Sequence, residues 1–105
     1  MIVRSAYLEG TVAPADCAEF DKRMSGDVMG LIASYPGIRS VKLRRIEQAD
    51  PGAPSIYMVF DLRFDSLADM DAALASPTRQ AVRQKIGEAM SLFKGRVYHL
   101  VFDES

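Results

Sequence analysis

The stretch "IYMVFDLRF" at positions 56–64 constrains the fold more than any other part of the chain. Ile56, Met58, Phe60, Leu62 and Phe64 form one wholly apolar side, while Tyr57, Val59, Asp61 and Arg63 form the other. Alternation this clean is the pattern of a β-strand with one face in a core. The second face is too apolar for water and too charged for a plain core. A sheet built around this strand therefore needs one layer over its first face and a different partner over its second.

The rest of the chain supplies those layers. "IVRSAYLE" reads as a first strand whose phases, Ile2–Arg4–Ala6–Leu8 and Val3–Ser5–Tyr7–Glu9, compete for the core. Pro14 suits a first helical turn, and Asp16 followed by Glu19 resembles a capping box. Cys17, Phe20, Met24, Val28, Leu31 and Tyr35 then recur at helical spacing until "YPGI" ends the helix. "SGDVMG" interrupts that helix: Gly26 and Gly30 weaken it, and Ser25 or Asp27 is placed to cap a new start. "IRSVKLRRIE" is a second strand. After the third, Ser66 is an expected N-cap with Asp69 at the capping-box position, and Ser76 and Pro77 are expected as the cap and first turn of a further helix. "RVYHLVF" closes the chain as a fourth strand.

The order β-α-β-β-α-β predicts an α+β ferredoxin-like plait, a four-stranded antiparallel sheet with helices on one face. At 105 residues one domain, spanning 1–105, is expected. The uncovered face predicts a homodimer packed sheet to sheet, a dimeric α+β barrel.

Composition removes several function classes. With 13 basic and 14 acidic residues the chain lacks the surplus of positive charge expected of a nucleic-acid binder. No apolar run is long enough for a membrane span, and "MIVRSAYLEG" is not a secretory signal, so neither membrane association nor export is expected. A lone cysteine, Cys17, rules out an intrachain disulfide and suits the cytoplasm. One histidine and one cysteine cannot fill a structural zinc site, and neither a Walker loop nor a Rossmann fingerprint is present, so no metal and no cofactor are expected.

The segments "AEFDKRM", "YPGIRSVKLRR", "YMVFDLRFDSLADMDAALASPTRQAVRQ" and "GRVYHLV" together resemble the EthD-like members of the dimeric α+β barrel superfamily. More narrowly, "GAPSIYMVFDLRFDSLADMDAALASP" and "FKGRVYHLVF" resemble the RedY-like proteins of prodigiosin-type pigment biosynthesis. Many EthD-like proteins carry a histidine in the second half of the first helix; that place falls here on Val28, beside Asp27. The family's chemistry at that helix is therefore not carried over. What the resemblance implies is a small apolar, aromatic or pyrrolic ligand inside a dimer barrel.

His99, the sole histidine, is the leading candidate for acid–base catalysis. Tyr98, Leu100 and Phe102 are the bulkier phase of its strand and are expected in the core, which leaves His99 facing the dimer cavity. Its other reading is a structural histidine at the interface. Asp61 either orients His99, acts as a second acid–base group, or pairs with an arginine across the sheet or dimer. Tyr57 either stacks on a ligand or packs the interface. Arg63 and Arg4 are candidate anchors for an anionic or carbonyl group, Arg4 subject to the unresolved phase of the first strand. The expected function is cofactor-independent proton chemistry on a small intermediate of secondary metabolism. The alternative is a binding protein that shelters such an intermediate.

Overall fold

The computed structural model describes residues 1–104. Strands β1 (Ile2–Val12), β2 (Ser40–Arg45), β3 (Ile56–Phe64) and β4 (Phe93–Asp103) form one sheet in the order β2-β3-β1-β4. All three pairings are antiparallel. Helices α1 (Cys17–Arg23), α2 (Met29–Ile32), α3 (Leu67–Leu74) and α4 (Thr78–Met90) supply the covering layer. The fold is the expected ferredoxin-like α+β arrangement. Its core joins Leu8, Met58, Phe60, Leu62 and Phe64 of the sheet to Phe20, Met24, Val28 and Ile32 of the first helical stretch. Met70, Ala73, Val82 and Ala89 add the contribution of α3 and α4. Ser66 caps α3 as expected, its hydroxyl accepting from the Asp69 amide at 3.1 Å.

The first helical stretch departs from expectation. Asp16 makes no capping bond; a short 3₁₀ turn, Pro14–Asp16, leads into α1 instead. At "SGDVMG" the helix does not break. It widens into a π-helical turn, Met24–Val28, and runs on into α2. Neither Ser25 nor Asp27 caps a new start, and the Ser25 hydroxyl donates to the Asp21 carbonyl at 2.7 Å. A β-carbon at Gly26 or Gly30 would meet nothing within 4 Å, so close packing is not their role either. The wider turn absorbs an extra residue while Met24, Val28 and Ile32 all stay buried beside Phe20.

Two local features fix the strand register. Leu8 pairs with Met58 and Glu9 with Ile56, so Tyr57 is the extra residue of a β-bulge in β3. On the other side of β1, Gly10 pairs with Gly95. A β-carbon on Gly10 would lie 2.1 Å from the Lys94 oxygen, and one on Gly95 would lie 2.0 Å from the Glu9 oxygen. Both residues also sit at positive φ, 154° and 151°. Only glycines let β1 and β4 cross this closely and stay paired over their full length.

Gly95→Ala is therefore expected to lower the unfolding free energy by about 1–3 kcal/mol. Gly30→Ala, on the open side of α2, should instead raise it by up to about 1 kcal/mol. Urea melts of the two variants check the pair; equal midpoints would remove the close crossing as a determinant of register.

Candidate functional site

Residues that face one another in adjacent strands share a face of the sheet. Leu43 pairs with Phe60, Phe60 with Ala6, and Ala6 with His99. Phe60 is a core residue beneath the helices, so His99 lies on the helix-covered face. The expected phase of β4 is thereby reversed. Tyr98, Leu100 and Phe102 belong to the open face with Tyr7, Ser5 and Val3. Bulk misassigns this strand because β4 lies at the sheet edge and both of its faces are partly apolar. Leu100 and Phe102 remain 47% and 43% exposed, and Tyr98 stacks on Tyr7 at 5.2 Å.

His99 borders a cavity of about 350 Å³ between the sheet and α4. Phe60 and Leu62 line its sheet side, Val82 and Ile86 its helix side. Its polar groups are Arg4 from β1, Tyr35 from the end of the first helical stretch, Arg79 and Arg83 from α4, and His99. No Asp or Glu lines it. The first strand thus resolves with Ile2, Arg4, Ala6 and Leu8 facing the helices, which brings Arg4 and His99 to one cavity.

Electrostatics follow from this wall. His99 sits at the open flank, still in contact with water, yet the packed protein around its ring disfavours the charged form. That desolvation, reinforced by the positive charges of Arg4 and Arg79, lowers its pKa from 6.5 to about 4. Burial also lowers the pKa of Arg4, with Arg79 acting in the same sense. Burial raises the Tyr35 hydroxyl against the opposing pull of Arg79, Arg4 and Arg83. At neutral pH the cavity holds an uncharged imidazole among cations.

The remaining candidates lie elsewhere. Asp61 is on the open face, opposite to His99, so it cannot orient that imidazole. It is 4% exposed and accepts from the Ser5 hydroxyl at 2.7 Å and from Arg44 at 2.6 and 3.1 Å. Burial alone would raise its pKa, but the hydrogen bonds from Arg44 and Ser5 and the charges of Arg44 and Arg63 outweigh that and hold it below 3.8. This is the ion pair across the sheet that is its alternative reading. Arg63, on the same face, bonds Glu104 at 3.3 Å and leaves its Nη1 buried without a partner.

Tyr57 faces neither the cavity nor the open side. The bulge turns it toward α1, where its ring meets Phe20 and Phe93 edge-on and its hydroxyl donates to Asp21 at 2.7 Å. Burial first, then that bond, pushes its hydroxyl pKa far up. It serves as a strut between sheet and helix. Arg79, Arg83 and Tyr35 are cavity residues that sequence reasoning misses. The available signal is the i,i+4 spacing of Arg79 and Arg83 beside the apolar Val82 and Ile86. Among the described residues no group of three or more His, Cys, Asp or Glu is placed to hold a metal, and no helix is long and apolar enough to cross a membrane.

No family model matches the chain. It is 31% identical over 91 residues to an uncharacterised 11.0 kDa protein of Rhodococcus erythropolis, encoded in the thcB–thcC intergenic region. That alignment covers 87% of this chain and 85% of the relative. Among solved structures, an EthD family protein of Bacillus halodurans matches with a TM-score of 0.77 at 21% identity, covering 100% of both chains. A dimeric protein of unknown function with a ferredoxin-like fold, from Bacteroides fragilis, matches at 0.69 with 14% identity over 98% of this chain and 95% of its own. SnoaB, a cofactor-independent oxygenase from Streptomyces nogalater, matches at 0.66 with 18% identity over 98% and 91%.

Because the chain has a single histidine, its imidazole resonance is unambiguous. In a proton NMR titration it should move with a midpoint near pH 4, below the ordinary 6.5. Between those values the unfolded chain binds more protons than the folded one, so stability should fall as pH drops from 6.5 toward 4. His99→Gln should flatten that slope. The contribution of Asp61, whose pKa is depressed, is present above 3.8 and is lost only at more acidic pH. A midpoint near 6.5 would show that neither the packing nor the arginines act on the ring.

Proposed function

The chain belongs to one family with the 11.0 kDa Rhodococcus erythropolis protein and has an EthD-like fold, and on that premise we propose that it acts on a small, mostly apolar molecule held between sheet and helices. The observation that carries this is His99 at the rim of an otherwise largely apolar cavity. An uncharged imidazole there can accept a proton from a bound molecule. The cations nearby stabilise negative charge left on an oxygen of that molecule. Proton transfer of this kind, with the proton returned to another atom, amounts to tautomerisation and needs no cofactor. The fold's likeness to a cofactor-independent oxygenase supports chemistry of that sort. The RedY-like segments support an aromatic or pyrrolic ligand of secondary metabolism, in a cytoplasmic protein.

On this reading Asp61 and Tyr57 act structurally, since neither lines the cavity that holds His99. Arg63 belongs with the proposed dimer face, where it pairs with Glu104. In the homodimer that face, carrying Leu100, Phe102 and the unpartnered Arg63 nitrogen, packs against its copy. One observation favours the binding alternative. A base with a pKa about 4 is poorly matched to proton abstraction at neutral pH. Sheltering a ligand needs no such match.

Two experiments test the reading. Sedimentation equilibrium at micromolar concentration should give about twice the 11.6 kDa chain mass; a monomer would remove the sheet-to-sheet dimer. Against a panel of bicyclic aromatic and pyrrolic ketones, the protein alone should accelerate exchange of the proton next to the carbonyl, followed by NMR in deuterium oxide. His99→Gln should slow that exchange about 10²–10⁴-fold. Binding with no exchange would select the sheltering role, and no binding at all would end both.

A further inference from the structure

The cavity is arranged against the local preferences of its own residues. Arg4 points inward from a central strand, where an apolar side chain packs better. Arg79 stands in the first turn of α4, where the helix dipole disfavours a cation. Arg79 and Arg83 repel each other as an i,i+4 like-charge pair, which weakens the helix. None of these charges is answered. Every ion pair among the described residues uses other cations: Arg23, Arg39, Arg44, Arg45, Arg63, Lys85 and Arg96. With no carboxylate in the wall, the cavity carries uncompensated positive charge next to an apolar interior. Residues that break local rules together, with no gain inside the chain, mark a place shaped for something outside it.

We infer that the cavity takes a carboxylate, with Arg4 and Arg79 holding its anionic head and the Phe60–Leu62–Val82–Ile86 walls enclosing an apolar, ring-sized body. The inference rests on the cavity being the functional site. Half-buried guanidinium groups bind a carboxylate by charge-assisted hydrogen bonds, stronger here than in water. Arg83, exposed at the helix surface, stands at the entrance and attracts the anion. His99 stays neutral beside the head and does not compete with the arginines for it. A bound anion also offsets the two positive charges that depress the imidazole. Binding therefore moves His99 toward the pH range in which it can carry a proton.

The test uses 1-naphthoate and its neutral counterpart 1-naphthalenemethanol as probes of the unmodified full chain. Calorimetry should show naphthoate binding about tenfold tighter or more. Arg79→Gln, in the first turn of a long helix, should abolish the preference and leave the weaker affinity for the alcohol. Arg79→Lys, which keeps the charge, should restore part of it. By NMR, saturating naphthoate should raise the His99 titration midpoint and the alcohol should not. Equal affinity for the two probes overturns the carboxylate assignment while the cavity stands as a binding site. Failure of both to bind at millimolar concentration overturns the cavity as well. An unaltered preference in Arg79→Gln removes Arg79 from the head-group site.

Discussion

The register of β1 between its two neighbours is the constraint on which everything else depends. Side chains alternate along a strand with a period of two, so a slip of one residue would exchange the two faces of the sheet. The bulge at Tyr57 fixes β1 against β3, and the Gly10–Gly95 crossing fixes it against β4. From these follow the rows that run across the sheet. Leu43, Phe60, Ala6 and His99 go under the helices; Lys42, Asp61, Ser5 and Leu100 go to the open side. Cavity and open face are the two sides of one registered sheet.

Much of the architecture is legible in the amino-acid sequence. Alternation in β3, the capping signal at Ser66 and the Pro-Gly stop each report a local preference that the tertiary fold respects; α4 restarts after Pro77, but Ser76 does not cap it, its hydroxyl donating instead to the Ala73 carbonyl at 2.6 Å. What is not legible depends on contacts distant in sequence. Tyr57 fits a perfect alternation on paper, and only its pairing with β1 reveals it as the bulged residue. Bulk assigns the phase of a strand when that strand has one greasy face. Both faces of β4 are apolar in part, so size cannot separate them. The π-helical turn reads as a break because glycine lowers helix propensity whether or not the helix stops. The arginines of α4 read as an ordinary solvated face until the helix is docked with that edge over Arg4 and His99.

The two faces handle charge in opposite ways. On the open side Asp61 is buried, but Ser5 and Arg44 satisfy it and Glu104 answers Arg63. That network can enter an interface without stranding its carboxylate, because its charges are largely matched inside the chain. Under the helices nothing matches Arg4 and Arg79. A structural network settles its own charge; a binding site leaves some unsettled for the ligand to complete. The contrast, more than its volume, is what singles out the cavity as the candidate site, since crevices of this size occur on many small proteins.

β4 then explains why a strand so rich in Val, Tyr, Leu and Phe carries the only histidine. Its alternate residues serve different neighbours. Tyr98, Leu100 and Phe102 present an aromatic and aliphatic surface to the open side, while Val97 and His99 edge the cavity. An edge strand pairs on one side only, so a polar ring there can reach both the cavity and water. Deeper in the sheet the same ring would be cut off from solvent.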